Sequence, residues 1–202
     1  MQDNIFDRAY RYVLANNTGE SNPYHNNKHL LFVFEQSVFV LFSKYRKQYN
    51  LKSTDKIELG LAAIFHDFNH SGGKLKDSEN IEIAISGLNN FLDENPDIEV
   101  NRENIINIIK ATEYPHKDIE LSILQKIIRD ADMFGCISDN WFDIVNRMAS
   151  EFGKTFIDFI PIQIGFLDTV TYNTPYFNML LNERKEKIKK DLLKIQSDLM
   201  IQ

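Results

Sequence analysis

YHNNKHLLFVF, Tyr24 to Phe34, puts two histidines four residues apart at the head of an apolar run. Four residues is just over one helical turn, so the spacing predicts His25 and His29 on one face of a helix. A second pair with the same spacing, His66 and His70, lies in AAIFHDFNHSGG, Ala62 to Gly73. There Asp67 follows His66 directly, at the end of an apolar run. A carboxylate in that place needs a strong partner, because a buried unpaired charge is costly. A third piece, IIRDADMFG, Ile127 to Gly135, sets Asp130 and Asp132 at the end of another apolar helix. His29, His66, Asp67 and Asp132 thus offer imidazoles and carboxylates from three predicted helices, with Asp130 an alternative for the last. Helix bundles build metal sites in this way. Mixed nitrogen and oxygen ligands suit Zn²⁺, Fe or Mn²⁺, not a Ca²⁺ cage or a thiolate site.

The rest of the chain reads as helix broken by turns. Apolar residues three and four apart predict a helix over Ile5 to Val13, then a loop at NNTGESNP, Asn16 to Pro23. Helices follow from about Asn26 to Tyr49, from a cap at Ser53–Asp55 to about Phe68, and from Asp77 or Ser78 to near Asn95. Asn101 caps the next, which ends at Tyr114-Pro115; Asp118 begins another, and Ser138 one that runs through Met148. Pro161 interrupts the segment from Phe156 to Tyr172, and a last helix starts at Pro175. No segment alternates for long with period two. The expected fold is all-α, a compact multi-helix bundle forming a single domain over residues 1–202.

Composition narrows the function classes. A net charge of -6 argues against binding a nucleic-acid polymer but leaves room for an anionic small substrate. A single cysteine, Cys136, permits no internal disulfide and fits a reducing compartment. The first residues, MQDNIFDRAYRYVL, lack the pattern of a secretory signal, and no run approaches the roughly 18 apolar residues of a membrane span. The expectation is a cytoplasmic protein without membrane contact. The Lys-rich ERKEKIKKDLLK reads as a solvated helix face.

The order H…HD…D in a helical chain resembles the HD superfamily of metal-dependent phosphohydrolases. YHNNKH and HDFNHSGG look like the YHNxxH and HDxxHPG motifs of class I 3′,5′-cyclic nucleotide phosphodiesterases. ATEYPH, Ala111 to His116, is similar to their ATDxxxH segment, one residue shorter, and Ala131–Met133 sits where they have ADL. IPIQIGFLDTV, Ile160 to Val170, resembles their QxGF segment. The likeness runs from about Tyr24 to Phe177.

That resemblance implies a dinuclear site. His29, His66, Asp67 and Asp132 would ligate the tighter ion, Zn²⁺, and Asp67 would reach toward a second, Mg²⁺ or Mn²⁺. His70, Glu113 and Glu79 would surround the second ion. A hydroxide bridging the ions would cleave cAMP, cGMP or both to 5′-monophosphates, with His25 as general acid to the 3′ oxygen. Gln163 would bond the purine edge, Phe166 would stack on the base with Met148 opposite, and Tyr24 would line the site. The chain departs from the pattern at Phe32, where the family has an acidic residue, at Ser71 for proline, and at Gly135 for asparagine. Its shortness suggests a more open pocket that admits cyclic dinucleotides or oligonucleotides. The alternatives are an HD phosphohydrolase of another nucleotide, a di-iron oxygenase, and a non-catalytic nucleotide-binding module.

Overall fold

Asn4 opens the first helix, α1 (Ile5–Asn16), by accepting from the Phe6 amide; Ala9 and Val13 face inward. The computed structural model describes residues 4–117 and 119–200, and among these there is no strand. The all-α expectation is met. The chain divides into two compact units, Met1–Asp132 and Met133–Gln202.

In the first unit, Asn26 caps α2 (Asn27–Phe34), which continues through a π-helical stretch, Glu35–Phe42, into the single turn α3 (Ser43–Tyr45). Buried positions fall four apart along two lines, Leu30–Phe34–Val38–Phe42 and His29–Val33–Ser37–Leu41–Tyr45. In a regular α-helix a step of four overshoots one turn by about 40°. Such lines would wind off the core within a few turns. The wider π stretch turns less per residue and keeps both lines inward.

α4 (Ser53–Phe65) is the centre of this unit. Asp55 accepts from the Lys52 amide at 2.6 Å and closes the first turn. Every residue from Glu58 to Phe65 is buried, because α1 and α2 pack on it together with α5 (Asp77–Glu94) and α6 (Arg102–Lys110). A helix apolar nearly all round is stable only in such a place. Gly60 permits the approach of α1, since a Cβ there would lie 2.3 Å from the Phe6 ring. Glu58 accepts from Asn101 N at 3.1 Å and Asn104 Nδ2 at 2.6 Å, fastening the start of α6 to α4.

An aromatic cluster lies under the end of α4. Phe65 and Phe91 have ring centroids 5.3 Å apart, and Tyr12 lies 5.5 Å from Phe91 and 6.0 Å from Phe68. Gly87 on α5 leaves room for Phe68; a Cβ there would fall 2.2 Å from its ring. Phe65 and Phe68 flank His66 and Asp67 in sequence. Burying each ring contributes about 1.5–3 kcal/mol, so the pair is anchored from both sides.

α7 (Ile123–Met133) starts with a reciprocal cap between Ser122 and Gln125. Asp118, the expected start, lies outside the described residues. Gln125 Nε2 donates to Asn107 O at 3.0 Å and Arg129 Nε to Ala111 O at 2.8 Å, holding α7 along the end of α6.

The second unit begins with a short 3₁₀ turn, Phe134–Ile137, and contains α8 (Trp141–Glu151), α9 (Phe156–Thr169) and α10 (Pro175–Met200). Val145 and Ala149 pack on Phe159, flanked by Trp141, Met148 and Phe156. α9 runs straight through Pro161, contrary to the expected break. Proline removes one backbone bond, but packing against α8 and α10 holds the helix. Phe134 stacks on Phe177 at 4.2 Å, and Arg184 donates to Ile137 O at 3.0 Å, so α10 covers the 3₁₀ turn. Among the described residues no helix is long and apolar enough to cross a membrane.

Candidate metal centre

Four side chains from α2, the end of α4 and the end of α7 converge in the first unit. His29 Nε2 lies 3.1 Å from Asp67 Oδ2 and 3.1 Å from Asp132 Oδ1. His66 Nε2 lies 3.2 Å from Asp67 Oδ2 and 3.5 Å from Asp132 Oδ1, and 3.2 Å from His29 Nε2. Both imidazoles are buried, and the carboxylates are nearly so. The four atoms could hold one metal ion. Ligand atoms about 2.0–2.2 Å from a common ion lie about 2.9–3.5 Å from one another in tetrahedral or right-angled arrangements, which is the spacing found.

The chemistry of the donor set fits a cation. His66 Nδ1 lies 2.9 Å from Ala63 O, and only an N–H can face a carbonyl. Nδ1 therefore carries a hydrogen, which leaves Nε2 as the nitrogen that can offer a lone pair to a cation in the cluster. Burial alone would push His29 down, but hydrogen bonds with Asp132 and Asp67 hold it above the ordinary imidazole value. His66 is likewise lifted over the cost of burial, chiefly by the Asp67 charge. Burial would raise both carboxyls, yet the two histidines hold Asp67 and Asp132 below the carboxylate range. Without a metal the cluster needs protons on its imidazoles to stay neutral. A divalent cation would replace them.

No family model matches the sequence, and no curated protein does. The fold has a solved counterpart. It is similar to that of Bacillus subtilis YpgQ in complex with ADP, with a TM-score of 0.61 over 96% of this chain and 97% of that chain, at 18% identity.

The residues around the cluster are arranged by turns rather than by a helix face. His25 precedes the Asn26 cap, and His70 lies beyond α4, after Asn69 at φ 59°. The two rings stack at 3.9 Å, and His25 Nε2 is 3.9 Å from Asp67 Oδ2. The Tyr24 ring lies 4.7 Å from both His25 and His29. Gly72 N donates to His70 Nδ1 at 3.2 Å, and Asn80 Nδ2 lies 3.0 Å from His70 Nε2. Asp132 joins the cluster, and Asp130 is buried. Glu79 is exposed and caps α5, accepting from Lys76 N at 3.0 Å. Glu113 pairs with Lys117 at 2.8 Å. Gln163, Phe166 and Met148 belong to the second unit. There the Gln163 amide nitrogen is buried with no hydrogen-bond partner among the described residues, and Met148 Sδ lies 3.8 Å from Cys136 Sγ.

Sequence reasoning missed Asp77 and Asn80. They head the inward stripe of α5 that continues through Ile81, Ala84, Ile85 and Leu88. Asp77 accepts from Tyr114 N at 2.6 Å. Burial raises its carboxyl, and the charges of Asp67 and Asp132 add to the rise against the Tyr114 bond. The signal was two polar residues at the head of an apolar stripe, where a site takes over from the core. His116 was also open; burial, then the Arg129 charge, push it down to about 4, and its Nε2 has no partner among the described residues.

Proposed function

We propose that this chain is a metal-dependent phosphohydrolase that cleaves 3′,5′-cyclic nucleotides, cAMP or cGMP, to 5′-monophosphates. The observation that carries the reading is the convergence of His29, His66, Asp67 and Asp132, with the His66 lone pair directed inward by Ala63. These four residues would hold Zn²⁺, and Asp67, which also faces His25, would extend toward Mg²⁺ or Mn²⁺. Divalent ions so held would supply a water acidic enough to attack at neutral pH and positive charge to neutralise the phosphoryl oxygens.

The chain's own residues supply the rest. His25, less deeply buried than His29 and close to Asp67, donates the proton that the 3′ oxygen needs in order to leave as an alcohol. His70 backs the His25 ring and is itself held by Gly72, whose N–H donates to its Nδ1. Both cAMP and cGMP present the 3′ ester oxygen that this proton serves, so both are candidate substrates.

A second reading, a phosphohydrolase of another nucleotide or of cyclic dinucleotides, is favoured by the ADP complex of YpgQ. Chromatography of products decides between them. The purified chain with Mg²⁺ or Mn²⁺ is given cAMP, cGMP, ADP and a cyclic dinucleotide. Formation of 5′-AMP or 5′-GMP from the cyclic mononucleotides, absent in Asp67→Ala, is the expected result. Turnover of ADP or the dinucleotide alone would replace the first reading with the second. No turnover of any of them would reject both.

A further inference from the structure

The loop Asn16–Pro23 contributes no ligand, yet it ties the two histidine motifs together. Asn22 Nδ2 donates to His25 O at 3.1 Å and to His70 O at 2.7 Å. One amide group therefore bonds one main-chain point of each motif. From these two points hang the two rings that stack at 3.9 Å with 31° between their planes.

The seat of Asn22 is tight. Gly72 has φ +67°, and a Cβ there would fall 2.6 Å from Asn22 Oδ1. Asn26 Nδ2 donates to Asn22 O at 2.8 Å, joining the same loop to the cap of α2. Asn17 ties the layer behind. Its Oδ1 accepts from Gly19 N at 3.1 Å and Asn69 N at 2.8 Å, while its Nδ2 donates to Asn27 Oδ1 at 2.6 Å. Thr18 N donates in turn to Asn69 Oδ1 at 2.6 Å. The loop is thus a polar frame around the His25–His70 stack. Gly19 lies close under the same two carbonyls: a Cβ there would sit 3.2 Å from His70 O and 3.3 Å from His25 O, closer than an ordinary contact.

We propose that Asn22 is a positioning residue, which fixes the His25–His70 stack and so aims the His25 ring at the oxygen that leaves the substrate. This rests on the phosphohydrolase reading above. The chemistry at Asn22 is specific. Two carbonyl oxygens must be met by two N–H groups on one nitrogen. Asp has the same shape but sets an oxygen against both carbonyls.

Asn22→Asp is therefore the test, with Gly72→Ala as a second route that displaces the amide without changing it. Three measurements are made on the full chain loaded with Zn²⁺ and Mg²⁺: metal content, the ring-proton NMR shifts of His25 and His70, and turnover of two substrates. One substrate is cAMP, whose ribose oxygen needs a proton to leave. The other is bis(p-nitrophenyl) phosphate, whose phenolate leaves without one. Asn22→Asp is expected to retain the metal, lose the mutual ring-current shifts, and lose about 10- to 100-fold in kcat on cAMP at unchanged KM. On the aryl ester the loss is expected to stay under about threefold. Equal losses on both substrates, no loss on either, or unchanged ring-current shifts in an active enzyme would overturn the role of Asn22 alone. A wild-type chain inert toward both esters would overturn the phosphohydrolase reading and, with it, the catalytic purpose assigned to Asn22.

Discussion

His25 and His29 stand where the chain enters a helix, and His66 and His70 stand where it leaves one. At the entrance the geometry is set by side chains. Asn26 caps α2 through Lys28 N at 3.0 Å, and Glu20 accepts from Asn27 N at 2.9 Å. At the exit it is set by the main chain. Phe68 N bonds Phe65 O at 2.9 Å, His70 N bonds Asp67 O at 3.1 Å, and Asn69 adopts a left-handed conformation at φ 59°. In each pair the member nearer the helix body reaches the candidate metal cluster, while the outer members stack on each other. The carbonyl end of α4 also favours a cation beside it, whether a proton on His66 or a bound metal ion. Two motifs with one spacing therefore meet by different means, and the meeting depends on a few atoms that belong to both.

Asp67 is the first of these. Its carboxylate is 3.1 Å from His29, 3.2 Å from His66 and 3.9 Å from His25. Asp67→Ala should release the ion and lower turnover by at least about 10³, read by metal analysis and product formation. An active, metal-replete variant would break the picture of one shared carboxylate. The exit should be the more expensive end to unpack. Phe65→Ala removes a ring that contacts Phe91 and Phe68 beneath the turn, and is expected to cost about 3–5 kcal/mol in urea denaturation. A cost under 1 kcal/mol would show that the turn does not depend on the aromatic cluster. His25→Ala should leave the ion in place and reduce turnover of cAMP by about 10²; loss of metal in this variant would make His25 a ligand instead.

The pH dependence of the metal-free chain sharpens the same comparison. His29 and His66 are raised above 6.5 by their carboxylate partners, so the stability they lend is present below pH 6.5 and is lost as pH rises through the folded values. Asp67 and Asp132 are lowered below 3.8, so their contribution is present above that pH and lost as pH falls through the folded values. Denaturation in chelator should therefore show greatest stability between pH 3.8 and 6.5 from this cluster. With Zn²⁺ present the trend above pH 6.5 should reverse, because the ion binds the deprotonated imidazoles. The smallest effect is at Glu79. Glu79→Ala should cost about 0.5–1 kcal/mol as a lost cap and leave turnover unchanged, whereas Asn80→Ala, which removes the neighbour of His70 Nε2, should lower it.

The helices were legible because their signals are local. Asn101 was read as a cap and accepts from Asn104 N at 3.1 Å; α5 was read as ending near Asn95 and ends at Glu94. The four residues of the candidate metal cluster were legible because each stands at one end of an apolar run that would not otherwise carry a polar group. The shared helix face was not correct, since neither pair lies wholly on a helix, and a spacing of four is also what a turn next to a helix end can provide. The asparagines at positions 17 and 22 read as turn residues for the same reason that hid their role: an amide that shapes its own loop has the same sequence signature as one that holds two other loops. Asp77 was passed over because similarity in sequence drew attention to Glu79, two residues away and on the exposed side of the helix.

The π-helical stretch Glu35–Phe42 has a consequence for how this chain tolerates changes in length. It carries the slack of the second helix. Removing one residue between Glu35 and Phe42 would let the backbone relax to ordinary α pairing, and because each α residue turns more than a π residue, the relaxation would make up most of the lost rotation. Tyr45 would keep its inward side and His29 its place. A one-residue deletion confined to this stretch is therefore absorbed, where the same deletion in α4 would turn every later residue of that helix by about 100°.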